Sequence, residues 1–311
     1  MLSLPFQTFM VFIPIDSPRN PQFDSPEQYI SNVRNLYINV TDQSTSREVS
    51  IGVWLILPEN YSGTGSIQEI IRTSSRDILI YLHGVYANRA KPIKQYEVFR
   101  RHFLVLAVDH RGYGDSGQGA DMTEIGIVED HLQIYEWVRG LNPTADIYYW
   151  GHSLGTGLST HTLRRLKDDK NVVVKGLILE SPFTSLEDVI NNIVFEQIFG
   201  WLAYFNSTLL RPLRKNGLEF RSLDHIGLID SPVLILHAKD DGVVPFKLGQ
   251  QLANIAIENR NPEQGSVTFY WFGEELGYNH NDIVTYPQIH NIIENFTAIC
   301  RAYNTAKFLP I

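Results

Sequence analysis

The sequence predicts an α/β fold in which one mostly parallel sheet carries helices on both faces. Short runs rich in β-branched and aromatic residues alternate with stretches of helical periodicity along most of the chain. The first two runs are separated only by a Ser/Thr-rich turn, a spacing that is typical of an antiparallel hairpin. Together these patterns predict an eight-stranded sheet that begins with an antiparallel N-terminal hairpin.

The predicted elements follow one another in regular order. The hairpin strands are residues 35–40 and 49–57, and the six further strands are residues 78–82, 103–108, 147–150, 176–179, 233–236 and 267–272. The predicted helices are residues 93–101, 123–139, 154–166, 246–258 and 287–301. Because no linker or internal repeat interrupts this order, we predict a single domain over residues 1–311.

One long interval, between the strands that begin at residues 176 and 233, breaks the alternation. It contains an aromatic-rich stretch, residues 194–205. An insertion of this length usually carries its own function, so residues 182–231 are predicted to form a small cap within the domain. An ordinary packing helix is the alternative interpretation.

Composition excludes several classes of function. The 311 residues carry a net charge of −8, and the basic residues are scattered, so nucleic-acid binding is not expected. The single cysteine, Cys300, cannot form an internal disulfide or a cysteine-rich zinc site, and we expect a half-buried, inert thiol. The sequence predicts no metal ion and no cofactor.

The apolar first 15 residues raise the question of a membrane segment. They are too short to span a bilayer, are interrupted by Pro5 and Pro14, and lack the basic start of a secretory signal. We expect a strand-like extension packed on the domain, with an interfacial segment or the remnant of a removed segment as alternatives. Four Asn-x-Ser/Thr sequons weakly indicate a luminal protein, although asparagines that are never glycosylated explain them equally well: Asn39, Asn60, Asn206 and Asn295.

The strongest functional motif is Gly151-His-Ser-Leu-Gly155, which joins a predicted strand to a predicted helix. A serine in this position sits on a tight strand-to-helix turn, where the residues two before and two after it must be small. Gly151 and Gly155 meet that requirement, and the turn points the hydroxyl towards the helix N-terminus. We therefore predict an α/β-hydrolase fold with Ser153 as its nucleophile.

A serine hydroxyl needs a base, and the chain order of this fold indicates which histidine supplies it. The histidine follows the last strand of the sheet, and His280 lies in a polar loop just beyond residue 272. His290 is the rival, although it lies inside an apolar helical pattern. The acid follows an earlier strand, where Asp241 is preferred because it stands three residues before Val244, and Asp240 is the alternative.

Acyl transfer also needs donors for the developing oxyanion. The backbone N–H of Leu154 supplies one, and the turn after strand 78–82 supplies the second from Val85, with Gly84 allowing close approach of the backbone. His83 is predicted to brace that loop. In the glycine-rich segment 109–116, Asp109 and Arg111 are predicted to form a structural ion pair.

The sequence resembles the lysophosphatidylserine and monoacylglycerol lipases among the α/β-hydrolase-domain-containing proteins. The likeness covers nearly the whole chain and includes Ser50-Ile-Gly-Val-Trp54, Ile80-Tyr-Leu-His-Gly84, residues 109–116, 149–157, 179–184 and 236–246, and Leu276-Gly-Tyr-Asn-His280. The resemblance implies a Ser153, Asp241 and His280 triad, single-chain lipid substrates and an endoplasmic reticulum location at a membrane. The family's membrane-spanning helix is not found here, and the sequence leaves a cytoplasmic location open.

The chain departs from the family pattern after His83-Gly84, where Val85, Tyr86 and Ala87 replace an Asn and a small pair. The predicted substrate is a lipid ester held at a membrane surface, with Arg89 and Lys91 as candidate headgroup contacts because they follow the oxyanion loop. A protein-depalmitoylating thioesterase is the alternative activity, since thioesters suit the same triad. A ligand-binding module without activity is the second alternative.

Overall fold

The computed structural model describes residues 4–15, 17–194 and 211–307, and its strands build one sheet. The eight strands lie in the spatial order β1-β2-β4-β3-β5-β6-β7-β8. Their bounds are β1 (Val33–Thr41), β2 (Glu48–Ile56), β3 (Ile78–Leu82), β4 (Leu104–Val108), β5 (Ile147–His152), β6 (Gly176–Glu180), β7 (Val233–Ala238) and β8 (Val267–Phe272). β2 runs antiparallel to β1 and β4, and the other pairs are parallel, as the sequence predicts.

Ten helices are present in the described part of the chain. They are α1 (Leu4–Phe12), α2 (Ile67–Thr73), α3 (Ile93–Phe99), α4 (Glu124–Leu141), α5 (Leu154–Lys170), α6 (Leu186–Val194), α7 (Arg211–Lys215), α8 (Ser222–His225), α9 (Phe246–Asn259) and α10 (Ile289–Lys307). The five predicted helices correspond to α3, α4, α5, α9 and α10. None of these ten helices is both long and apolar enough to cross a bilayer.

Apolar side chains cover both faces of the sheet, because successive residues of a strand point to opposite sides. Along β3, Ile78, Ile80 and Leu82 belong to one core cluster, whereas Leu79 and Tyr81 belong to the other. Every residue of β3 is buried, which explains why its sequence is an unbroken apolar run. Cys300 is fully buried against this core rather than half-buried, and burial raises the pKa of its thiol to about 12.

The N-terminal segment differs from the prediction, because it forms helix α1 rather than a strand-like extension. Pro5 lies in the first turn, where a missing N–H costs nothing, and Pro14 stands just beyond the end. Phe12 is fully buried, with its ring edge-on to Phe220 at 5.7 Å, and its carbonyl accepts a hydrogen bond from the Tyr113 hydroxyl. The segment does pack on the domain, as expected.

The two ends of the long interval between β6 and β7 are hydrogen-bonded to each other. The amide of Leu186 donates to the carbonyl of Glu219 at 2.9 Å, and the amide of Leu223 donates to the carbonyl of Thr184 at 3.0 Å. The two ends of the interval therefore lie side by side. Residues 195–205 of the predicted aromatic stretch, like Asn206, lie outside the described residues.

Candidate active site

Ser153 occupies the sharp turn between β5 and α5, with φ 51° and ψ −118°. Such a left-handed conformation is strained for a non-glycine residue and persists only where packing enforces it. A Cβ on Gly151 would lie 2.3 Å from the Gly155 carbonyl oxygen, and one on Gly155 would lie 2.1 Å from the Leu82 carbonyl oxygen. Both glycines are therefore required by the close approach of backbone around the serine.

Asp241 and His280 form a buried pair beside this turn. His280 Nδ1 lies 2.8 Å from Asp241 Oδ2, and both residues are largely buried. Because a carboxylate only accepts, Nδ1 carries the proton and Nε2 is free to take another. The other carboxylate oxygen, Oδ1, accepts from the amides of Val243 at 2.9 Å and Val244 at 2.8 Å, which fixes the acid at the end of β7.

A second histidine contacts the same carboxylate. His237, the fifth residue of β7, places Nε2 3.2 Å from Asp241 Oδ2 and 3.0 Å from the Val244 carbonyl oxygen. Burial opposes ionisation of Asp241, but the hydrogen bonds from His237 and His280 outweigh it and hold its pKa well below the usual range. Asp241 is therefore an anion across the physiological pH range.

The loop that carries His280 is tied to the serine turn through its backbone. The His280 carbonyl accepts from His152 Nε2 at 3.0 Å and from Ser181 Oγ at 3.3 Å, and the rings of His152 and His280 lie 5.0 Å apart. Burial, reinforced by His280, lowers the pKa of His152 to about 3, so His152 is a neutral donor. Among the described residues Ser153 Oγ does not hydrogen-bond to His280, a contact that often tightens only when substrate binds.

The oxyanion loop lies directly against the serine. A Cβ on Gly84 would lie 2.9 Å from Ser153 Cβ, so only glycine lets this loop approach so closely. Within the described chain, the amides of Val85 and Leu154 donate to no protein acceptor. Both amides are therefore available to donate to an oxyanion, the role that the sequence predicts for them.

His83 braces this loop, as predicted. Its Nδ1 lies 2.7 Å from the Gly84 carbonyl oxygen, and its ring packs on His110 with centroids 4.2 Å apart. Burial lowers the pKa of His83 well below its ordinary value, so the side chain is neutral.

A cleft of about 290 Å³ opens beside the oxyanion loop. Its lining residues include Val85, Ala87 and Lys91 of the loop after β3, together with His152 and Asn281. Lys91 is exposed, and its Nζ donates to the Tyr86 carbonyl at 2.6 Å. Partial burial lowers its pKa. Two lysines line this cleft, Lys91 and Lys94, and Lys94 Nζ pairs with Asp282 at 2.8 Å.

Arg89 does not line this cleft, which corrects the prediction that it contacts a headgroup. Its side chain is 0% exposed and its Nη1 pairs with Asp109 at 2.6 Å and Asp115 at 2.7 Å. The guanidinium also stacks on Phe23, 3.8 Å from the ring centroid. With its charge neutralised and its faces covered, Arg89 is a structural residue that anchors the loop after β4.

Asp109 and Arg111 do not pair with each other, which corrects a second prediction. Asp109 pairs with Arg89, whereas Arg111 pairs with Asp42 at 2.7 Å and with Asp130 at 2.6 Å. Residues two apart in a strand point to the same side, but Asp109 and Arg111 both follow the end of β4 at Val108, where the chain turns and their side chains diverge. All three ion pairs are buried and structural.

The two rival residues are placed away from the acid–base pair. Asp240 Oδ2 accepts from the Asn279 amide at 2.9 Å, so it supports the histidine loop and does not contact the His280 ring. His290 lies on α10, with Nδ1 2.9 Å from His102 Nε2.

His237 and His152 were not predicted from the sequence. The one signal for His237 was a histidine at the end of a strand, four residues before the acid.

Comparison with known proteins places the chain among hydrolases. A family model described as the α/β hydrolase fold matches residues 77–219. Lysophosphatidylserine lipase ABHD12 of Xenopus tropicalis is 33% identical over 302 residues, which cover 93% of this chain and 76% of the relative. The Danio rerio protein of the same name is 34% identical over 278 residues, covering 87% and 71%, and human Protein ABHD12B is 31% identical over 280 residues, covering 87% and 74%.

Solved structures agree with the fold. An esterase of Pyrococcus furiosus, Pf2001, superposes with a TM-score of 0.57 at 16% identity, covering 91% of this chain and 93% of the esterase. Est1E of Butyrivibrio proteoclasticus, with ferulic acid bound, superposes with a TM-score of 0.56 at 17% identity, covering 85% and 96%. At such low identity these likenesses show the fold alone.

Proposed function

The chain belongs to the family of lysophosphatidylserine lipase ABHD12 and is a hydrolase with the α/β-hydrolase fold, and from this premise we propose that it cleaves the acyl ester of single-chain lipids through an acyl-enzyme on Ser153. The substrates are lysophosphatidylserine, related lysophospholipids and monoacylglycerol. The observation that carries the proposal is the strained Ser153 turn beside the buried His280–Asp241 pair and two free backbone amides.

The first half of the reaction acylates the serine. Ser153 Oγ attacks the ester carbonyl carbon while His280 Nε2 accepts the hydroxyl proton. The imidazolium that forms is stabilised by Asp241, which remains ionised. The oxyanion accepts from Leu154 N–H and Val85 N–H, and its collapse expels the glycerol-side alkoxide, which takes the proton from His280.

The second half releases the fatty acid. Water attacks the acyl-serine carbonyl, and His280 Nε2 takes a proton from that water as the new bond forms. The second oxyanion uses the same two amides. Collapse returns the proton to Ser153 Oγ and frees the carboxylic acid, so the site is restored without a cofactor.

The headgroup of an anionic lysophospholipid is proposed to contact Lys91. This side chain borders the cleft next to Val85 and is exposed, so its ammonium can reach an acidic group on the leaving side of the ester. Residues 182–231 are proposed to be the cap over the acyl chain. Two backbone hydrogen bonds between the ends of this segment support this proposal, because the segment leaves and rejoins the domain at neighbouring points.

Helix α1 is proposed to rest on the lipid surface from which the substrate is drawn. Phe6, Phe9 and Met10 are each nearly half exposed although they are large and apolar. An apolar patch of this kind on a helix that carries no charge fits the interfacial layer of a bilayer.

The endoplasmic reticulum remains the proposed location. The sequon asparagines Asn39, Asn60 and Asn295 are exposed, so all three are accessible to the lumenal glycosylation machinery. Digestion of the cellular protein with an N-glycosidase is expected to increase its mobility on a gel. An unchanged mobility would count against a luminal domain.

The decisive experiment is turnover by purified protein across a substrate panel. The panel contains lysophosphatidylserine, lysophosphatidylcholine, a long-chain monoacylglycerol, a short-chain ester and an acyl-cysteine peptide, each assayed by released fatty acid. We expect the single-chain lipids to be turned over fastest. Faster cleavage of the acyl-cysteine thioester would replace this proposal with the depalmitoylating activity.

Two variants identify the nucleophile in the same assay. Ser153→Ala is expected to reduce kcat by on the order of 10⁶-fold and to abolish labelling by a fluorophosphonate probe. Ser159→Ala is the matched control, because its hydroxyl only bonds the Gly155 carbonyl at 2.6 Å within the same helix, and it should stay active and labelled. Labelling that persists in Ser153→Ala would overturn the assignment.

A further inference from the structure

A second cluster of chemically active side chains lies away from the triad, where α4, α5 and α8 meet. Glu124 is the first residue of α4, His161 lies within α5, and His225 ends α8. One ligand atom of each lies within 4.8 Å of the others. His161 Nδ1 is 2.7 Å from Glu124 Oε1, and the rings of His161 and His225 are stacked with centroids 4.5 Å apart and planes inclined by 17°.

We propose that Glu124, His161 and His225 bind a divalent zinc ion, which joins the segment returning from the insertion to the helix that follows the nucleophile. Two imidazole nitrogens and one carboxylate oxygen are a ligand set that zinc uses, with water as the fourth ligand. Calcium and magnesium prefer all-oxygen sites, so a borderline transition metal fits better.

The carboxylate of this cluster is already oriented. Glu124 Oε2 accepts from the amide of Phe220 at 2.8 Å and from the amide of Glu219 at 3.3 Å, which leaves Oε1 directed at His161. Outer hydrogen bonds of this kind hold metal ligands in place and are part of most metal sites. The carboxylate is therefore presented to an ion without further ordering.

The two imidazoles complete the ligand set. Each offers a ring nitrogen within 4.8 Å of the other two ligand atoms, and imidazole nitrogen is a ligand that suits zinc. Two arginines on the elements that carry the histidines are already paired, since Arg164 of α5 bonds Asp168 at 2.5 Å and Arg221, just before α8, bonds Asp224 at 2.5 Å.

The position of the three ligands would give a bound ion a structural role. Glu124 is buried, whereas His161 and His225 are partly exposed, so an ion enters from solvent and reaches a carboxylate in the protein. α5 begins immediately after Ser153, and residues 219–225 are the return from the long interval. Coordination across these elements would hold the interval's return against the nucleophile helix. The three ligands of the proposed zinc site are widely spaced in the sequence, and for this reason no sequence motif indicates them.

The test is binding of Zn²⁺ alone to the purified wild-type chain after treatment with EDTA. Calorimetry is expected to give one ion per chain, thermal unfolding to give a higher Tm with Zn²⁺, and Co²⁺ substitution to give a tetrahedral absorption spectrum. Zinc-edge X-ray absorption on wild type should count two imidazoles and one carboxylate, a readout that needs no variant. Failure to retain Zn²⁺, or a coordination sphere without two imidazoles, would overturn the site.

Variants locate the ion. His225→Gln keeps a planar polar side chain and is expected to weaken Zn²⁺ binding at least tenfold and to lose the Tm increase. His290→Ala is the matched control, because His290 and His102 form another imidazole pair, 2.9 Å apart, and it should bind as wild type does. Equal affinity in His225→Gln and wild type would place the ion elsewhere and refute the proposal.

Discussion

His237 Nε2 lies 3.2 Å from Asp241 Oδ2, the same oxygen that accepts the hydrogen bond of His280 Nδ1 at 2.8 Å. One carboxylate oxygen of Asp241 thus contacts two histidines: His237 near the end of β7, and His280 in the loop after β8. The other oxygen is held by two backbone amides. With four neighbours fixing it, the acid has little freedom to turn away from His280.

The adjacent aspartates give the sharpest test of this arrangement. Asp241→Asn is expected to reduce kcat by about 10⁴-fold, because an amide in that position favours the wrong tautomer of His280. Asp240→Asn, which only alters the acceptor of the Asn279 amide, should retain activity within about tenfold of wild type. Released fatty acid measures both, and equal losses would contradict the assignment of the acid.

The oxyanion loop is tested by adding one methyl group. In Gly84→Ala the new Cβ would lie 2.9 Å from Ser153 Cβ, so the loop must shift and kcat is expected to fall by about 10²- to 10³-fold, as when one oxyanion donor is lost. Gly140→Ala is the control, because a Cβ there meets no atom within 4 Å at the end of a long helix. Gly140→Ala should keep its activity and gain about 0.5–1 kcal/mol of stability. Undiminished turnover in Gly84→Ala would show that the loop does not constrain the site.

Arg89 and Lys91 are expected to differ in what their removal changes. Arg89→Met removes the cation that pairs with the buried Asp109 and the partly exposed Asp115, and leaving Asp109 buried without a cation should lower the free energy of unfolding by about 3–5 kcal/mol. Lys91→Met should leave stability nearly unchanged and raise KM for lysophosphatidylserine about tenfold relative to monoacylglycerol. Urea unfolding and steady-state kinetics separate the two effects. An equal KM change for both lipids would remove Lys91 from the headgroup site.

Glu180 predicts a pH dependence of stability. Burial raises its pKa to about 8, although Trp150 Nε1 donates to it at 2.9 Å. In the folded state the Glu180 carboxyl keeps a proton that the unfolded chain releases near pH 4.5. The stability contributed by protonated Glu180 is therefore fully present below pH 4.5 and is lost as the pH rises through about 8. The loss amounts to about 1.4 kcal/mol per pH unit within that window.

Substituting the carboxyl by an amide isolates this contribution. Glu180→Gln cannot ionise, so its stability relative to wild type should increase between pH 5 and pH 8 in thermal unfolding experiments. Glu263→Gln, at an exposed glutamate, should follow the wild-type curve throughout. Parallel curves for Glu180→Gln and wild type would mean that the buried carboxyl does not bind a proton in this range.

The sequence predicted what depends on local pattern. The eight strands, the hairpin at the sheet edge and the turn around Ser153 follow from periodicity and from glycine spacing. Chain order led to His280, whose ring the structure places 2.8 Å from Asp241. The partners of Arg89, Arg111 and Glu124 were not predictable, because each is set by elements that meet only after the sheet is wound. Helix α1 was missed because a prolyl ring near its start was taken as a break.

Two backbone hydrogen bonds join the ends of the long interval between β6 and β7, so they define where a substitute segment could be inserted. Because Leu186 is bonded to Glu219 and Leu223 to Thr184, the stretch between them can be exchanged for that of another enzyme while both junctions keep their geometry. Chimaeras that exchange the proposed cap at these positions are therefore expected to change the preference for acyl-chain length.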